Sequence, residues 1–214
     1  MNLIADSKLI KIPVKDNGEQ LVDLRTVCRD IKFDICEPYI DDRFFLSRKT
    51  AAEKIAQAQS SLISGFKLVI FSAYRPMDIQ KKHYEDMLEK LRNENPEWTD
   101  QKIKLETNKR IAPPDIIPPH TTGGAIDLSI VDKNDEYLDM GTIYKEFSSK
   151  TQTDSDQITN REKQNREMLS NIMKTTGFVN YPTEWWHWSY GDRYWAASLK
   201  KRLSIYNSVD LPKK

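Results

Sequence analysis

Cysteine is scarce in this chain of 214 residues, which holds only Cys28 and Cys36, with no second CxxC and no matched Cys/His spacing beside them. A disulfide-stapled scaffold and a thiolate metal knuckle are thereby excluded, and two reduced structural thiols point to a reducing compartment, most simply the cytoplasm. An excess of one charge is also missing. Lys plus Arg number 33 against 32 Asp plus Glu, a net charge of +1, so no single-sign field gathers a polyanion and a dedicated nucleic-acid binder is not indicated. Long apolar runs are absent as well. The best, Phe66 to Ala73, is interrupted by Lys67 and Ser72 and falls well short of the roughly 18 residues of a membrane span. The first twenty residues carry Asp6, Lys8, Lys11 and Lys15 and never form the apolar core of an export signal.

What is present is aromatic. Hydrophobic residues make up 38% of the chain, but five Trp, nine Tyr and seven Phe each bury a large area, so the composition is that of a folded protein rather than a disordered one. No internal repeat, low-complexity tract or linker interrupts the chain, and residues 1–214 read as a single domain. The oligomeric state is not encoded in any pattern found here.

Local signals give the elements. Ala51, Ala52, Ile55, Ala58, Leu62 and Ile63 recur at helical spacing from Lys49 to Ser64, and Gly65 stands where a helix stops. Phe66 to Ala73 reads as a buried strand ended by Arg75-Pro76. A helix capped by Asp78 runs to about Arg92, with Ile79, Met87, Leu88 and Leu91 inward, and Thr99 or Asp100 starts another. The segment from Ile111 to Gly124 holds four prolines and reads as a stiff surface loop. Gly124 to Val131 alternates as a half-buried strand, with Asp127 on its small, polar face, and Asp132 to Asp135 turns the chain toward a hairpin at Tyr137 and Leu138. Asp30 to Arg48 and Ser148 to Gln157 read as irregular. Thr159 and Glu162 form a capping box for a helix ending at Gly177, after which Phe178 to Tyr181 and Trp185 to Tyr190 are strand-prone. Without a repeated strand–helix alternation, the order predicts an α+β domain with a mainly antiparallel sheet flanked by helices.

Of three histidines, two occupy conspicuous places. His120 follows two prolines and precedes Thr-Thr-Gly-Gly, so a stiff backbone can aim its ring across the start of the strand that carries Asp127. His187 closes Glu184-Trp185-Trp186-His187, an acid and an imidazole at short range. Two nitrogens and one carboxylate would leave the fourth tetrahedral position of Zn²⁺ open for water, as in catalytic sites, and a carboxylate that does not ligate, Glu184, is the candidate base. On an unbroken strand Glu184 and His187 would face opposite ways, so the reading requires Glu184 in the turn after Pro182 or a bulge between them. His83 falls on an ordinary helix beside Lys81 and Lys82 and reads as structural or solvated. Arg75 is either a surface cation or a fixed positive charge for an oxyanion.

The segments SAYRP (Ser72 to Pro76), PHTTGGAIDL (Pro119 to Leu128), LDMGT (Leu138 to Thr142) and YPTEWWHW (Tyr181 to Trp188) resemble the D-alanyl-D-alanine dipeptidases, zinc enzymes related to the vancomycin-resistance dipeptidase. The resemblance spans roughly Asp30 to Tyr190. It implies an antiparallel sheet flanked by helices, one Zn²⁺ held by His120, Asp127 and His187, Glu184 as catalytic base, Arg75 as transition-state stabiliser, and the dipeptide D-Ala-D-Ala as substrate. Two positions depart from the pattern. Pro118 stands where many members have Ser, and Lys145, followed by Glu146, stands where the family often has an acid near the substrate's amino group. A cation opposite an ammonium turns attraction into repulsion unless Glu146 or another carboxylate substitutes. Two other readings keep the zinc: a D,D-carboxypeptidase or endopeptidase acting on cell-wall peptides, and a zinc-stabilised binding module without turnover. Structural zinc needs neither Glu184 nor Arg75, which weighs against the last. Trp185, Trp186 and Trp188 are expected to be mostly core.

Overall fold

The computed structural model describes residues 4–36 and 40–211. In chain order the elements are α1 (Ser7–Ile10), β1 (Leu21–Asp23), α2 (Leu24–Val27), β2 (Lys32–Phe33), β3 (Leu46–Arg48), α3 (Lys49–Ser60), β4 (Lys67–Ser72), α4 (Met77–Glu94), α5 (Asp100–Asn108), β5 (Ala125–Val131), α6 (Asn160–Thr175), β6 (Val179–Asn180), β7 (His187–Ser189) and α7 (Arg193–Ser198), with short 3-10 turns at Asp42–Phe45, Pro119–Thr122 and Ser149–Thr151. Five strands form one sheet in the order β2-β4-β5-β7-β6, and β1 pairs with β3 in a second. Among these described strands the β2–β4 pairing is parallel and the others are antiparallel. This is the expected α+β architecture with helices around a mainly antiparallel sheet.

One apolar cluster holds the layers together. Ala51, Ala52, Ile55 and Ala58 of α3 and Leu169 and Met173 of α6 join Leu68 and Ile70 of β4 and Ile126, Leu128 and Ile130 of β5. The α6 helix starts at the expected capping box, the Thr159 side chain accepting from the Glu162 backbone and the Glu162 carboxylate from the Thr159 N–H. The Asp132 to Asp135 turn delivers a bridge between Val131 and Tyr137, as its composition requires.

Four expectations are corrected. The α3 helix ends at Ser60 rather than Ser64, where Ser60 and Ser61 hydroxyls both donate to the Gln57 carbonyl and compete with the helical ladder. Ile63 is therefore 61% exposed instead of inward, and Gly65 closes the following turn at φ +90°. All seven residues of β5 are buried, not every other one, because the polar face is covered too. The proline-rich loop is a surface loop only in its first part: Pro119 to Thr122 is buried, its polar groups met by bonds from Thr121 and Thr122 to Pro118 and Pro119 and from Arg48 to Thr122. Within Asp30 to Arg48, read as irregular, residues 37–39 lie outside the described ones, and the remainder carries β2 and β3, whose partners β4 and β1 are remote in sequence and leave no local period.

Candidate metal centre

Adjacent strands bring the first two donors together. Asp127 on β5 is directly paired with His187 on β7 and, on its other side, with Ser72 of β4 across a bulge. Directly opposed residues place their Cβ atoms about 5 Å apart, within reach of one ion. His120 arrives from the 3-10 turn that precedes β5. That turn can approach so closely because Gly123 takes φ +73°, and because a Cβ on Gly124 would sit 2.1 Å from the Tyr190 carbonyl oxygen.

The three side chains are buried and converge. Asp127 Oδ1 is 2.9 Å from His187 Nδ1 and 3.3 Å from His120 Nε2, and the two ring nitrogens are 3.2 Å apart. Donors about 2.0–2.1 Å from zinc at tetrahedral angles stand roughly 3.3 Å from one another, so this set of two imidazoles and a carboxylate fits such an ion with one vertex left for water. The outer nitrogens are engaged in a way that fixes each ring. His120 Nδ1 donates to the Ala73 carbonyl at 2.8 Å, which leaves its inward Nε2 with the lone pair; His187 Nε2 lies 3.3 Å from Ser189 Oγ, and its Nδ1 faces Asp127 Oδ1.

The three groups also shift one another's protonation. Burial pushes the Asp127 carboxyl up, but His120 and His187 outweigh it and hold the group well below the usual carboxylate range. Burial lowers His120 overall, which favours the neutral ring a ligand needs. Burial acts on His187 the same way, but the hydrogen bond and charge of Asp127 prevail and raise it.

Glu184 lies in the turn between β6 and β7, its N–H bonded to the Tyr181 carbonyl, rather than on the strand with His187. The parity problem is thus resolved by the turn after Pro182. Desolvation pushes the Glu184 carboxyl up to about 7, with the Asp127 charge adding to it and His187 and Arg75 opposing. Arg75 is buried, not a surface cation; its Nη1 donates to Gln80 Oε1 at 3.0 Å and its Nη2 to Ser72 Oγ at 3.1 Å, while its backbone N–H bonds the His120 carbonyl.

All five residues line one cavity of about 300 Å³, together with Gln80, Pro118, Lys145, Phe147 and Trp186. Trp185, Trp186 and Trp188 are core, as expected, although Trp186 also forms cavity wall. His83 sits on α4 but is half-buried against this cavity instead of standing in solvent. Lys145 reaches the wall with its Nζ donating to the Cys36 carbonyl, whereas Glu146 accepts from Ser148 Oγ and is not among the residues lining the cavity. Sequence reasoning missed Gln80, which carries no motif, and Tyr144, whose hydroxyl donates to Asp127 Oδ2 at 2.8 Å. Tyr144 lies two residues beyond the LDMGT segment that drew attention, and only the folded chain shows where its hydroxyl goes.

A His/Asp/His set brought together by two strands and the turn before one of them, beside a carboxylate and a buried guanidinium, marks a metallopeptidase, and comparison with known proteins agrees. A family model described as Peptidase_M15, D-ala-D-ala dipeptidase, matches residues 18–206, and the chain belongs to that family. It is 26% identical over 234 residues to a D-alanyl-D-alanine dipeptidase of Synechocystis sp., covering 94% of this chain and 93% of the relative. It is 27% identical over 178 residues to the D-alanyl-D-alanine dipeptidase of Escherichia coli, covering 78% of this chain and 83% of that one. A crystal structure of a mutant vancomycin-resistance D,D-pentapeptidase, VanY, in complex with Zn(II) is similar at a TM-score of 0.46 and 16% identity, covering 80% of this chain and 87% of that chain.

Proposed function

We propose that the protein hydrolyses the D,D-dipeptide D-Ala-D-Ala with one Zn²⁺ held by His120, Asp127 and His187. The observation that carries this reading is the triangle of donor atoms with edges of 2.9, 3.2 and 3.3 Å, set in the same cavity as Glu184 and Arg75. Bound there, zinc supplies a Lewis acid that polarises the scissile carbonyl and acidifies water. Glu184 takes a proton from the attacking water and hands one to the departing amine, work suited to a carboxyl poised near neutrality. Arg75, held by Gln80 and Ser72, presents a fixed cation to the oxyanion. The cavity, about 300 Å³, suits a small substrate. The cytoplasm remains the proposed compartment: neither Cys28 nor Cys36 is in a disulfide. No described helix is long and apolar enough to cross a membrane.

A second reading, a D,D-carboxypeptidase acting on cell-wall peptides, is favoured by one observation. Lys145 lines the cavity while Glu146 is turned to Ser148, an arrangement unfriendly to a free ammonium. Hydrolysis of D-Ala-D-Ala beside L-Ala-L-Ala and an N-blocked D-Ala-D-Ala separates the cases. Cleavage that needs the free amine supports the dipeptidase, and cleavage of the blocked peptide supports the carboxypeptidase. No cleavage of any by the zinc-loaded protein leaves a binding module and overturns both.

A further inference from the structure

We propose that Tyr144 is a positioning residue for the metal centre, occupying one oxygen of Asp127 so that only the other is presented to the ion. This rests on the zinc reading above. The two oxygens of Asp127 are in different company. Oδ1 faces His187 Nδ1 at 2.9 Å and His120 Nε2 at 3.3 Å, whereas Oδ2 accepts the Tyr144 hydroxyl at 2.8 Å. An ionised carboxylate can only accept, so the phenol is the donor and Oδ2 is committed away from the other two ligand atoms. A carboxylate held in this way binds through one oxygen and leaves a vertex for water; a carboxylate free to bind through two would fill it.

The phenol is itself held in place. Its ring stacks on Phe71 with centroids 4.6 Å apart and 21° between planes, and meets the edge of Trp186 at 5.4 Å. The segment that carries it is fastened to α6: Arg166 donates to the carbonyls of Met140 at 2.8 Å, Lys150 at 2.8 Å and Gln152 at 2.6 Å, and Asn165 Nδ2 to that of Asp139 at 2.8 Å. Trp185 Nε1 adds a bond to Thr142 Oγ1 at 2.8 Å. Tyr144 is therefore presented to Asp127 by a built wall, not by a loose loop, which is the condition for a ligand-orienting partner to be effective.

The test compares the wild type with Tyr144→Phe, which deletes one oxygen and keeps the ring, and with Tyr144→Leu, which deletes both. Zinc affinity is read by competition with a chromogenic chelator, and coordination by the visible spectrum of the Co²⁺-loaded protein. Tyr144→Phe is expected to weaken zinc by roughly 10–100-fold and to lower the cobalt absorption as a second carboxylate oxygen joins the ion, with the melting temperature of the metal-free protein little changed. Tyr144→Leu should weaken zinc about as much as Tyr144→Phe. Wild-type affinity and an unchanged cobalt spectrum in Tyr144→Phe overturn the assignment, and so does a loss confined to Tyr144→Leu, which would make the ring's packing responsible. A wild-type chain that binds no zinc overturns the metal centre and this inference together.

Discussion

Asp127 and His187 stand opposite each other on two antiparallel strands, sixty residues apart in sequence, with Oδ1 and Nδ1 2.9 Å apart. Their meeting is a matter of register. A slip of one residue between β5 and β7 would turn one of them to the opposite face of the sheet, so the packing that fixes register also assembles the donor pair. Ile126 and Trp188, neighbouring positions of the same two strands, are paired with each other and buried at 1% and 0% exposure, which sets that register through the core.

Ligand and base should therefore separate by mutation. His187→Ala removes a donor and is expected to lose both zinc and turnover. Glu184→Ala should keep one zinc per chain and lose turnover by about 10²–10⁴-fold, the range for a positioned general base. Metal analysis beside the hydrolysis rate checks both; a fully active Glu184→Ala would end the assignment of the base.

Arg75 tests a different term. Its guanidinium is directed by Gln80 and Ser72, so a lysine, with a point charge and no fork, cannot reproduce the arrangement. Arg75→Lys is expected to lower kcat by about 10²-fold and Arg75→Ala by up to about 10³-fold, with zinc content unchanged. Steady-state kinetics on the zinc-loaded variants decide it, and an unchanged kcat in Arg75→Ala would remove the residue from the reaction.

How much of this was legible without a fold depends on where the information sits. The helix from Thr159 and the strand carrying Asp127 announce themselves through nearest neighbours: a capping box in one, alternation in the other. His120, Asp127 and His187 could be named because histidine is rare in this chain and the flanking segments are distinctive. Full burial of β5 was not legible, since alternation reports that one face is polar, not that Tyr144 and its segment cover it. The short strands β2 and β3 were missed for a related reason: each is defined by a partner far along the chain. Gln80 and Tyr144 act on Arg75 and Asp127 through single hydrogen bonds, and a lone donor at an arbitrary separation has no pattern in one sequence.

The metal-free site should bind zinc with release of protons. His187 is raised by Asp127 and Glu184 is pushed up to about 7, so both hold protons on the acid side of neutrality that a divalent cation disfavours. Zinc affinity is expected to fall as pH drops below about 7, and the Glu184 carboxyl to titrate at lower pH in the zinc-bound protein than in the metal-free one. In the metal-free protein the sign for stability is the opposite of the usual carboxylate case. Glu184 is raised, so its folded form binds more protons than the unfolded chain, and its contribution declines as pH climbs from the unfolded value near 4.5 toward about 7. Calorimetry in buffers of different ionisation enthalpy reads the released protons; pH-independent affinity across that window would contradict the assignment.

Arg48, like Arg75, is a buried arginine held by several hydrogen bonds. It is 3% exposed; its Nη2 pairs with Asp16 at 2.7 Å and also donates to the Asn207 carbonyl, its Nε donates to the Thr122 carbonyl at 2.9 Å, and its Nη1 to that of Glu19. Thr122 is two residues beyond His120, so this one side chain ties the turn that carries His120 to segments near both ends of the described chain. Replacing it by Met leaves three carbonyls without their donor, while the partly exposed Asp16 carboxylate stays solvated, and a loss of about 1–3 kcal/mol is expected. Burial pushes the Asp16 carboxyl up, but the backbone N–H groups of Asn207 and Gly18 and the charge of Arg48 outweigh it and lower it; Glu19 is lowered similarly, against its own burial, chiefly by Thr50 and Tyr206. Both groups therefore stabilise the fold fully above their unfolded values near 4, and that contribution is lost as pH falls through the lower folded values. Urea unfolding at about pH 7 and at progressively lower pH should show the gap between wild type and Arg48→Met narrowing as the Asp16 carboxyl takes up its proton. A gap of equal size throughout would place Arg48's contribution in its carbonyl contacts rather than in the ion pair.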